Sequence, residues 1–269
     1  MILRLPPGYR RVESRTPLAV AHDRVLPIVS TLLQRGTLYD WARTHPDRRE
    51  YHGRGPVFSA PLPDEGGRVV VRHAFRGGLV APLLGDLYLP PTPAPVELAI
   101  THLLTRAGVP TPPILAFATY RAAFTLRRVD VMTMEWSGQD LGAALRAART
   151  PDERRALVAP VARLVGLLSY SGAWHQDLNV KNILLVPATD GQLQGAVLDV
   201  DRVRFAPAGD PHILGANISR LRRSMDKHHR LHGTIGFDDA DFAELTRLVR
   251  QDDEVRAAHR ATALEEYMP

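Results

Sequence analysis

One polar segment, residues 175–182 with the sequence His-Gln-Asp-Leu-Asn-Val-Lys-Asn, constrains the fold more than any other part of the chain. It follows residues 157–168, where apolar side chains recur at helical spacing. It precedes two short apolar runs, 183–186 and 196–198, which predict a hairpin. The local order is therefore helix, polar loop and hairpin, with Asp199 at the end of the second strand.

The spacing of the polar residues in this loop is typical of phosphoryl transfer. His175, Asp177 and Asn182 match the pattern H-x-D-L-x-x-x-N, in which the Asp serves the acceptor hydroxyl and the Asn binds a metal ion. A second acidic residue at a strand end, here Asp199, completes the kind of Mg²⁺ site that ATP-dependent kinases need. We predict Asp177 as the catalytic base and Asn182 and Asp199 as metal ligands. His175 belongs to the catalytic motif, and we expect it to be structural rather than a proton-transfer group.

The region upstream has the order of a nucleotide-binding lobe. Gly53 and Gly55 form a short glycine loop, whose backbone N–H groups could approach phosphate, although a plain hairpin turn explains them equally well. A β-branched strand then ends at Arg72, and the next helix has Glu97 in its first turn. We predict that Arg72 and Glu97 steady the ATP phosphates. Arg72 stands where protein kinases have Lys, and Arg76 is the alternative cation.

The chain divides into three parts by pattern. Residues 1–50 are mixed, contain one predicted helix at 25–41, and are taken as an N-terminal extension. Residues 51–135 form the predicted nucleotide-binding lobe, and residues 136–269 form the catalytic and acceptor-binding lobe. Glu135 marks the exit from the last strand of the first lobe and is predicted to contact the nucleotide.

Two helix signals are clear in the second lobe. Thr150 begins a capping box with proline at the first helical position, which predicts a helix start. Pro160 lies inside the helical pattern that follows and predicts a kink or a break there.

Composition limits the classes of partner. The chain has 34 Lys and Arg against 29 Asp and Glu, so its formal charge of +5 favours nucleotide phosphates, phosphorylated substrates or an anionic membrane surface. We find no recognition motif for nucleic acid. The absence of cysteine excludes disulfides and thiolate catalysis. No apolar run is long enough to span a bilayer, and the first residues lack the apolar core of a signal peptide.

The chain resembles the lipopolysaccharide kinases, most of all those that phosphorylate 3-deoxy-D-manno-octulosonic acid (Kdo). The Arg-His-x-x-Arg-Gly-Gly part of residues 71–80 is the most specific piece, since general protein kinases lack it. The segments that carry the resemblance are 53–55, 71–80, 108–112, 175–185, 198–202 and 216–224.

The resemblance implies an α+β, protein-kinase-like fold of two lobes, with a small β-rich lobe that has one main helix and a larger, mostly helical lobe. It also implies ATP and Mg²⁺, with phosphate transfer to a hydroxyl of Kdo on a lipid A precursor. Such an enzyme is cytoplasmic and peripheral on the cytoplasmic face of the inner membrane. Arg220, Arg222 and Arg223 could then meet the sugar carboxylate or lipid phosphates, although a solvated basic helix face is an equal alternative.

Other readings stay open at this point. A heptose kinase or another small-molecule kinase would have the same catalytic residues. A membrane-associated pseudokinase scaffold is favoured slightly by the missing strand Lys, but the intact Asp177, Asn182 and Asp199 argue against it. A protein kinase is disfavoured because no A-P-E motif follows Asp199 before the next predicted helix.

Overall fold

The structure is a computed structural model, and it describes residues 5–52, 55–63, 67–74, 86–188, 191–233 and 236–265. The chain forms two compact units. The first comprises Met1–His102 and Pro112–Trp136, and the second comprises Leu103–Thr111 and Ser137–Pro269. The predicted mixture of helices and antiparallel strands is confirmed.

The first unit is built on an antiparallel sheet. Its strands and helices, in chain order, are β1 (Tyr9–Arg11), β2 (Leu18–His22), α1 (Leu26–Arg35), α2 (Leu38–Thr44), β3 (Arg49–His52), β4 (Pro56–Pro61), β5 (Arg68–His73), α3 (Ala94–Arg106), β6 (Ile114–Arg121) and β7 (Arg127–Met134). Helix α3 continues into the second unit. Within the described residues the sheet has seven strands, in the order β1-β2-β6-β7-β5-β4-β3.

The two faces of this sheet are covered by different helices. Because side chains alternate along a strand, Val69 and Val71 of β5 pack with α1 and α2 on one face. Val129 and Val131 of β7 pack with Ala94 and the rest of the α3 cluster on the other face. The sheet therefore lies between two apolar layers.

The prediction that residues 1–50 are an extension is wrong. Strand β2 pairs along its length with β6, and β1 pairs with β2, so both strands belong to the sheet. Residues Ala19, Val20 and Ala21 are all buried, as expected of a strand with both faces covered. The prediction of one helix over 25–41 is also wrong, because the chain breaks at Gly36 and Thr37 then caps α2 by accepting a hydrogen bond from the Asp40 N–H.

The second unit is mostly helical. Its elements are β8 (Gln139–Asp140), α4 (Leu141–Ala147), α5 (Pro151–Arg155), α6 (Val158–Tyr170), β9 (Ala173–His175), β10 (Ile183–Pro187), β11 (Leu193–Val197), β12 (Val203–Phe205), α7 (Pro211–His232) and α8 (Asp239–Glu265). The predicted hairpin is the antiparallel pair β10–β11, which β8 extends, and β12 pairs with β9. Helix α6 packs against α7, α8 and β11.

The capping box and the break near Pro160 are both present. Thr150 Oγ1 accepts a hydrogen bond from the Glu153 N–H, and the Glu153 carboxylate accepts one from the Thr150 N–H. Helix α5 then ends, and Pro160 lies in the first turn of α6, where its missing N–H costs no intrahelical hydrogen bond. In the part of the chain that the structure describes, none of the helices combines enough length with enough apolar character to cross a bilayer.

Gly172 joins α6 to β9 at a point with no room for a side chain. Its φ is +72°, and a Cβ there would lie 2.2 Å from the Ala206 carbonyl oxygen and 2.9 Å from that of Pro207. Gly191, in the β10–β11 turn, has a similar φ of +78° but nothing within 4 Å of its own Cβ position. An alanine at position 191 would therefore introduce backbone strain alone, whereas an alanine at position 172 would introduce both backbone strain and a steric clash.

We expect Gly191→Ala to lower the free energy of unfolding by about 1 kcal/mol, the usual cost of left-handed backbone for a residue with a Cβ. Gly172→Ala should cost about 3 kcal/mol or more, because the clash adds to the same strain. Urea unfolding of both variants measures the difference. Equal losses would show that the approach of Ala206 to Gly172 is not tight in solution.

Candidate active site

The loop between β9 and β10 is held in shape by buried apolar residues. Leu178 and Val180 are buried, and the Leu178 N–H donates to the His175 carbonyl at 3.0 Å. The polar residues on either side of Leu178, Asp177 and Asn179, stay partly accessible, and the Asp177 side chain is 29% exposed. Alternating burial thus anchors the loop and leaves the Asp177 carboxylate able to meet a ligand.

His175 is a structural residue of this loop. It is fully buried, and its Nε2 lies 3.1 Å from the Leu198 carbonyl oxygen while its Nδ1 accepts the Asp177 N–H at 3.2 Å. This pattern requires a neutral ring with the proton on Nε2. Burial lowers the pKa of His175, against the opposing effect of its hydrogen bond to Leu198 and nearby carboxylates. His175 therefore connects the catalytic loop to the strand end before Asp199.

Asn182 and Asp199 are brought together by the backbone. The Leu198 N–H donates to the Asn182 carbonyl at 2.9 Å, so Asp199 is one residue from that contact. The Asn182 amide nitrogen donates to the Asp177 carbonyl at 2.9 Å, which leaves the amide oxygen as the atom that can ligate a cation. Asp199 has left-handed backbone with φ +54°, a conformation that Asp tolerates better than most residues and that is frequent at functional sites.

These two residues fit Mg²⁺. An amide oxygen and a carboxylate are hard oxygen donors, and Mg²⁺ in nucleotide enzymes is held by one or two carboxylates together with phosphates and water. Among the described residues there is no group of three or more His, Asp or Glu that could hold a metal by itself. The donor set therefore suits a cation that shares its ligands with a phosphate chain.

One face of α7 holds the catalytic loop. Asn217, Arg220 and Ser224 are spaced i, i+3 and i+7, which places them on one side of the helix. The buried Asn217 accepts the His175 N–H at 3.1 Å and donates to the Ala173 carbonyl at 3.0 Å. Ser224 accepts the Val180 N–H at 3.1 Å. Sequence reasoning gave Asn217 and Ser224 no role, although polar residues at this spacing are a signal that could have identified them.

The three arginines predicted for the acceptor differ in their surroundings. Arg220 forms an ion pair with Asp177 and donates to the Gln176 carbonyl at 3.2 Å. Arg222 faces α8, where it pairs with Asp239 at 2.5 Å and lies over the Phe242 ring at 4.2 Å. Arg223 is exposed. The structure thus brings Arg220 to the Asp177 carboxylate and does not bring Arg222 there.

In the first unit, Arg72 pairs with Glu97. The ion pair joins β5 to the first turn of α3, and the Glu97 side chain is only 5% exposed. A charge this well buried needs its partner, so the pair fixes the position of the Arg72 guanidinium. Gly55 lies immediately before β4, whereas Gly53 and Arg76 lie outside the described residues.

The neighbour of Arg72, His73, joins a buried network on the opposite face of the sheet. Its Nδ1 lies 2.7 Å from a carboxylate oxygen of Asp130, which is fully buried. The other Asp130 oxygen accepts the Tyr39 N–H at 2.9 Å, and the Tyr39 ring stacks on His73 with centroids 3.6 Å apart. Sequence reasoning missed this network. It ties β5 to α2 and β7 behind the Arg72–Glu97 pair.

The Glu135 carboxylate is engaged within the first unit. It accepts hydrogen bonds from Ser59, Tyr51 and Arg68, and Arg49 lies 3.7 Å away. Burial alone would raise the pKa of Glu135, but the hydrogen bonds from Ser59, Tyr51 and Arg68 outweigh it and hold the pKa below its usual value. A nucleotide contact from Glu135 would therefore have to use its main chain.

Within the second unit, the loop with its Arg220-paired carboxylate and the adjoining Asn–Asp pair has the residues of a phosphotransferase site of the kinase type. A model of the lipopolysaccharide kinase (Kdo/WaaP) family matches residues 41–248. The chain belongs to this family. It is a lipopolysaccharide kinase, an enzyme that transfers a phosphoryl group to a hydroxyl.

Curated relatives and a solved structure are consistent with this assignment. A 3-deoxy-D-manno-octulosonic acid kinase of Haemophilus influenzae (strain PittEE) is 30% identical over 207 residues, which cover 74% of this chain and 83% of that protein. One of the same description from Stenotrophomonas maltophilia (strain K279a) is 30% identical over 209 residues, covering 72% and 75%. The structure of WaaP in complex with acyl carrier protein matches with a TM-score of 0.51 and 18% identity, over 96% of this chain and 100% of that one, which shows a shared fold.

We expect stability to fall in acid partly through His175. Because burial lowers its pKa below the ordinary value of 6.5, the unfolded chain binds this proton more readily than the folded chain. The contribution of neutral His175 to the free energy of unfolding is therefore fully present above about pH 6.5, and it declines as the pH falls below that value. Urea unfolding between pH 8 and pH 5 should show a shallower decline for His175→Gln than for wild type. His212→Gln, at an exposed position on α7, is the control, and equal slopes for wild type and His175→Gln would contradict the assignment.

Proposed function

We propose that this protein is an ATP- and Mg²⁺-dependent kinase that phosphorylates a hydroxyl of Kdo on a lipid A precursor. The observation that carries the proposal is the partly exposed Asp177, fixed on one side by Arg220 and followed by Asn182 within the same loop. Two relatives that are 30% identical to this chain over more than 200 residues carry the name of that activity.

Asp177 would orient the acceptor hydroxyl and accept its proton. One carboxylate oxygen is held by Arg220, and within the described residues the other oxygen accepts no hydrogen bond. That second oxygen is the atom that can accept a hydrogen bond from a sugar hydroxyl, which raises the nucleophilicity of the hydroxyl oxygen. Two hydrogen bonds fix the main chain of Asp177, and the ion pair with Arg220 orients its carboxylate.

We assign nucleotide-binding roles to residues of each unit separately. Asn182 and Asp199 would ligate Mg²⁺, and Arg72, fixed by Glu97, would meet the phosphates, with Gly55 as a candidate backbone contact. When bound to the phosphates, Mg²⁺ would neutralise the charge that develops during transfer. Arg reaches phosphate as a planar, bidentate fork, so it can replace the Lys of protein kinases with a different geometry.

We further propose that the two units correspond to the lobes of a protein-kinase-like fold. The first unit, with its sheet and the Arg72–Glu97 pair, would be the nucleotide-binding lobe. The second unit would be the catalytic and acceptor-binding lobe. The net charge of +5 supports a peripheral position on an anionic surface, the cytoplasmic face of the inner membrane.

We expect Asp177→Asn to lower the rate of phosphate transfer by on the order of 10²-fold to 10⁴-fold, because the amide keeps the shape but cannot accept the proton. Radiolabelled ATP with a Kdo-bearing lipid A precursor measures the transfer. Asp226→Asn, an exposed position on α7, is the matched control and should retain wild-type transfer. Transfer by wild type to another sugar but not to Kdo would refute the acceptor, and equal transfer by Asp177→Asn would refute the base.

Nucleotide binding should depend on Mg²⁺ through Asp199. We expect Asp199→Asn to weaken Mg²⁺-dependent binding of a non-hydrolysable ATP analogue by about tenfold or more, because a charged oxygen ligand is lost. In the presence of EDTA the wild type and the variant should bind the analogue alike. Fluorescence titration of the analogue gives both values, and a Mg²⁺ dependence in the variant as large as that of wild type would exclude Asp199 as a ligand.

A further inference from the structure

A stripe of basic side chains runs along α7 from the catalytic loop outward. We call Arg220, Arg223, Lys227 and Arg230 the basic stripe. Their spacing of i, i+3, i+7 and i+10 places them along one flank of the helix, and ten residues of helix span about 15 Å. The stripe lies beside the face that carries Asn217 and Ser224, so one helix serves both the catalytic loop and this basic surface.

The outer three members of the stripe are accessible. Arg223, Lys227 and Arg230 are exposed, and no side chain among the described residues forms an ion pair or a hydrogen bond with theirs. Arg222, on a different side of the same helix, is satisfied by Asp239 and Phe242. Helix α7 therefore uses Arg222 in its contact with α8, and it exposes the outer three members of the stripe to solvent.

Along α7 the stripe has a net positive charge. The only acidic residue of this helix is Asp226, which is exposed and lies at one edge of the stripe, about 120° around the helix from Arg220 and about 40° from Arg230. The four cations of the stripe therefore have one carboxylate of the same helix beside them, which leaves an excess of positive charge for an anionic ligand.

The inner end of the stripe is at the catalytic residue. Arg220 pairs with Asp177 and also binds the Gln176 carbonyl, so a ligand lying along the stripe has one end beside the catalytic carboxylate. The stripe has three guanidinium groups, each able to bind phosphate bidentately, and one ammonium group. A row of cations of this length suits a ligand that carries more than one phosphate.

We propose that the basic stripe binds the phosphate groups carried by the saccharide of the acceptor lipid and thereby sets the sugar hydroxyl at Asp177. This rests on the proposed function and names the part of the acceptor that the enzyme recognises. The source of the phosphates is the acceptor rather than bulk membrane lipid, because the stripe is continuous with the catalytic carboxylate.

A binding experiment tests this with two triple variants of equal charge change. Arg223→Gln/Lys227→Gln/Arg230→Gln neutralises the outer stripe, and Arg15→Gln/Arg35→Gln/Arg121→Gln neutralises three exposed arginines of the first unit. The ligand is a deacylated, Kdo-bearing lipid A saccharide, used with its phosphates and after phosphatase treatment. Titration calorimetry should give about tenfold weaker binding of the phosphorylated saccharide by the stripe variant and no change for the control.

After removal of the phosphates, both triple variants should bind the saccharide as wild type does. Wild-type affinity of the stripe variant for the phosphorylated saccharide would overturn the proposal, and so would an equal loss for the dephosphorylated one. The single variants Arg223→Gln and Lys227→Gln give the same comparison if the triple variant is poorly folded.

Two further measurements separate the alternatives. Sedimentation with phosphatidylglycerol vesicles tests the membrane: loss of vesicle binding with unchanged affinity for the deacylated saccharide would overturn the proposal in favour of bulk lipid. Phosphate transfer by wild type tests the proposed function independently. Absence of transfer would refute that function, while the calorimetric comparison would still decide whether the stripe binds phosphate.

Discussion

The side-chain amide of Asn217 bonds to the main chain on both sides of Trp174, and the geometry of the catalytic loop depends on it. Because this contact is buried, breaking it would leave main-chain groups without partners in an apolar environment, which is costly. It holds His175 in place, and His175 in turn binds the Asp177 N–H and the Leu198 carbonyl. The catalytic carboxylate and the strand end before Asp199 are thus positioned from one helix.

Strand β5 shows how one strand can serve two purposes. Arg72 and His73 are adjacent, so their side chains leave opposite faces of the sheet. Arg72 meets Glu97 of α3, whereas His73 meets Asp130 beneath α2. The Arg72–His73 pair therefore combines the cation that we propose for phosphate binding with a buried contact that holds its strand in place.

The local parts of the fold could be predicted from the sequence, and the long-range parts could not. The β10–β11 hairpin and the start of α5 depend on turn and capping residues close in the chain, so their signals are complete within a short window. The place of β2 in the sheet depends on β6, almost a hundred residues away. The His73–Asp130 pair likewise joins residues 57 positions apart, and neither position is unusual in its own segment.

The same distinction applies to the site. His175, Asp177 and Asn182 could be placed in one loop because a short motif contains all of them. The roles of Arg220 and Arg222 could not be separated, since that requires knowing which flank of α7 faces the loop and which faces α8. Glu135 was placed correctly at a strand end, but the partners of its carboxylate come from three other strands.

Helix α7 carries the loop-holding residues and the basic stripe on neighbouring flanks, and this has a consequence for how the protein can change. Insertion or deletion of a single residue between Asn217 and Arg220 turns everything beyond it by about 100°, which would move Ser224 off the loop and the stripe off its flank together. Substitutions can therefore change the side chains of the stripe one at a time, whereas a change in the length of this segment also displaces the residues that hold the loop. If the stripe binds the acceptor as we propose, its specificity can change only by substitutions that keep the helical register.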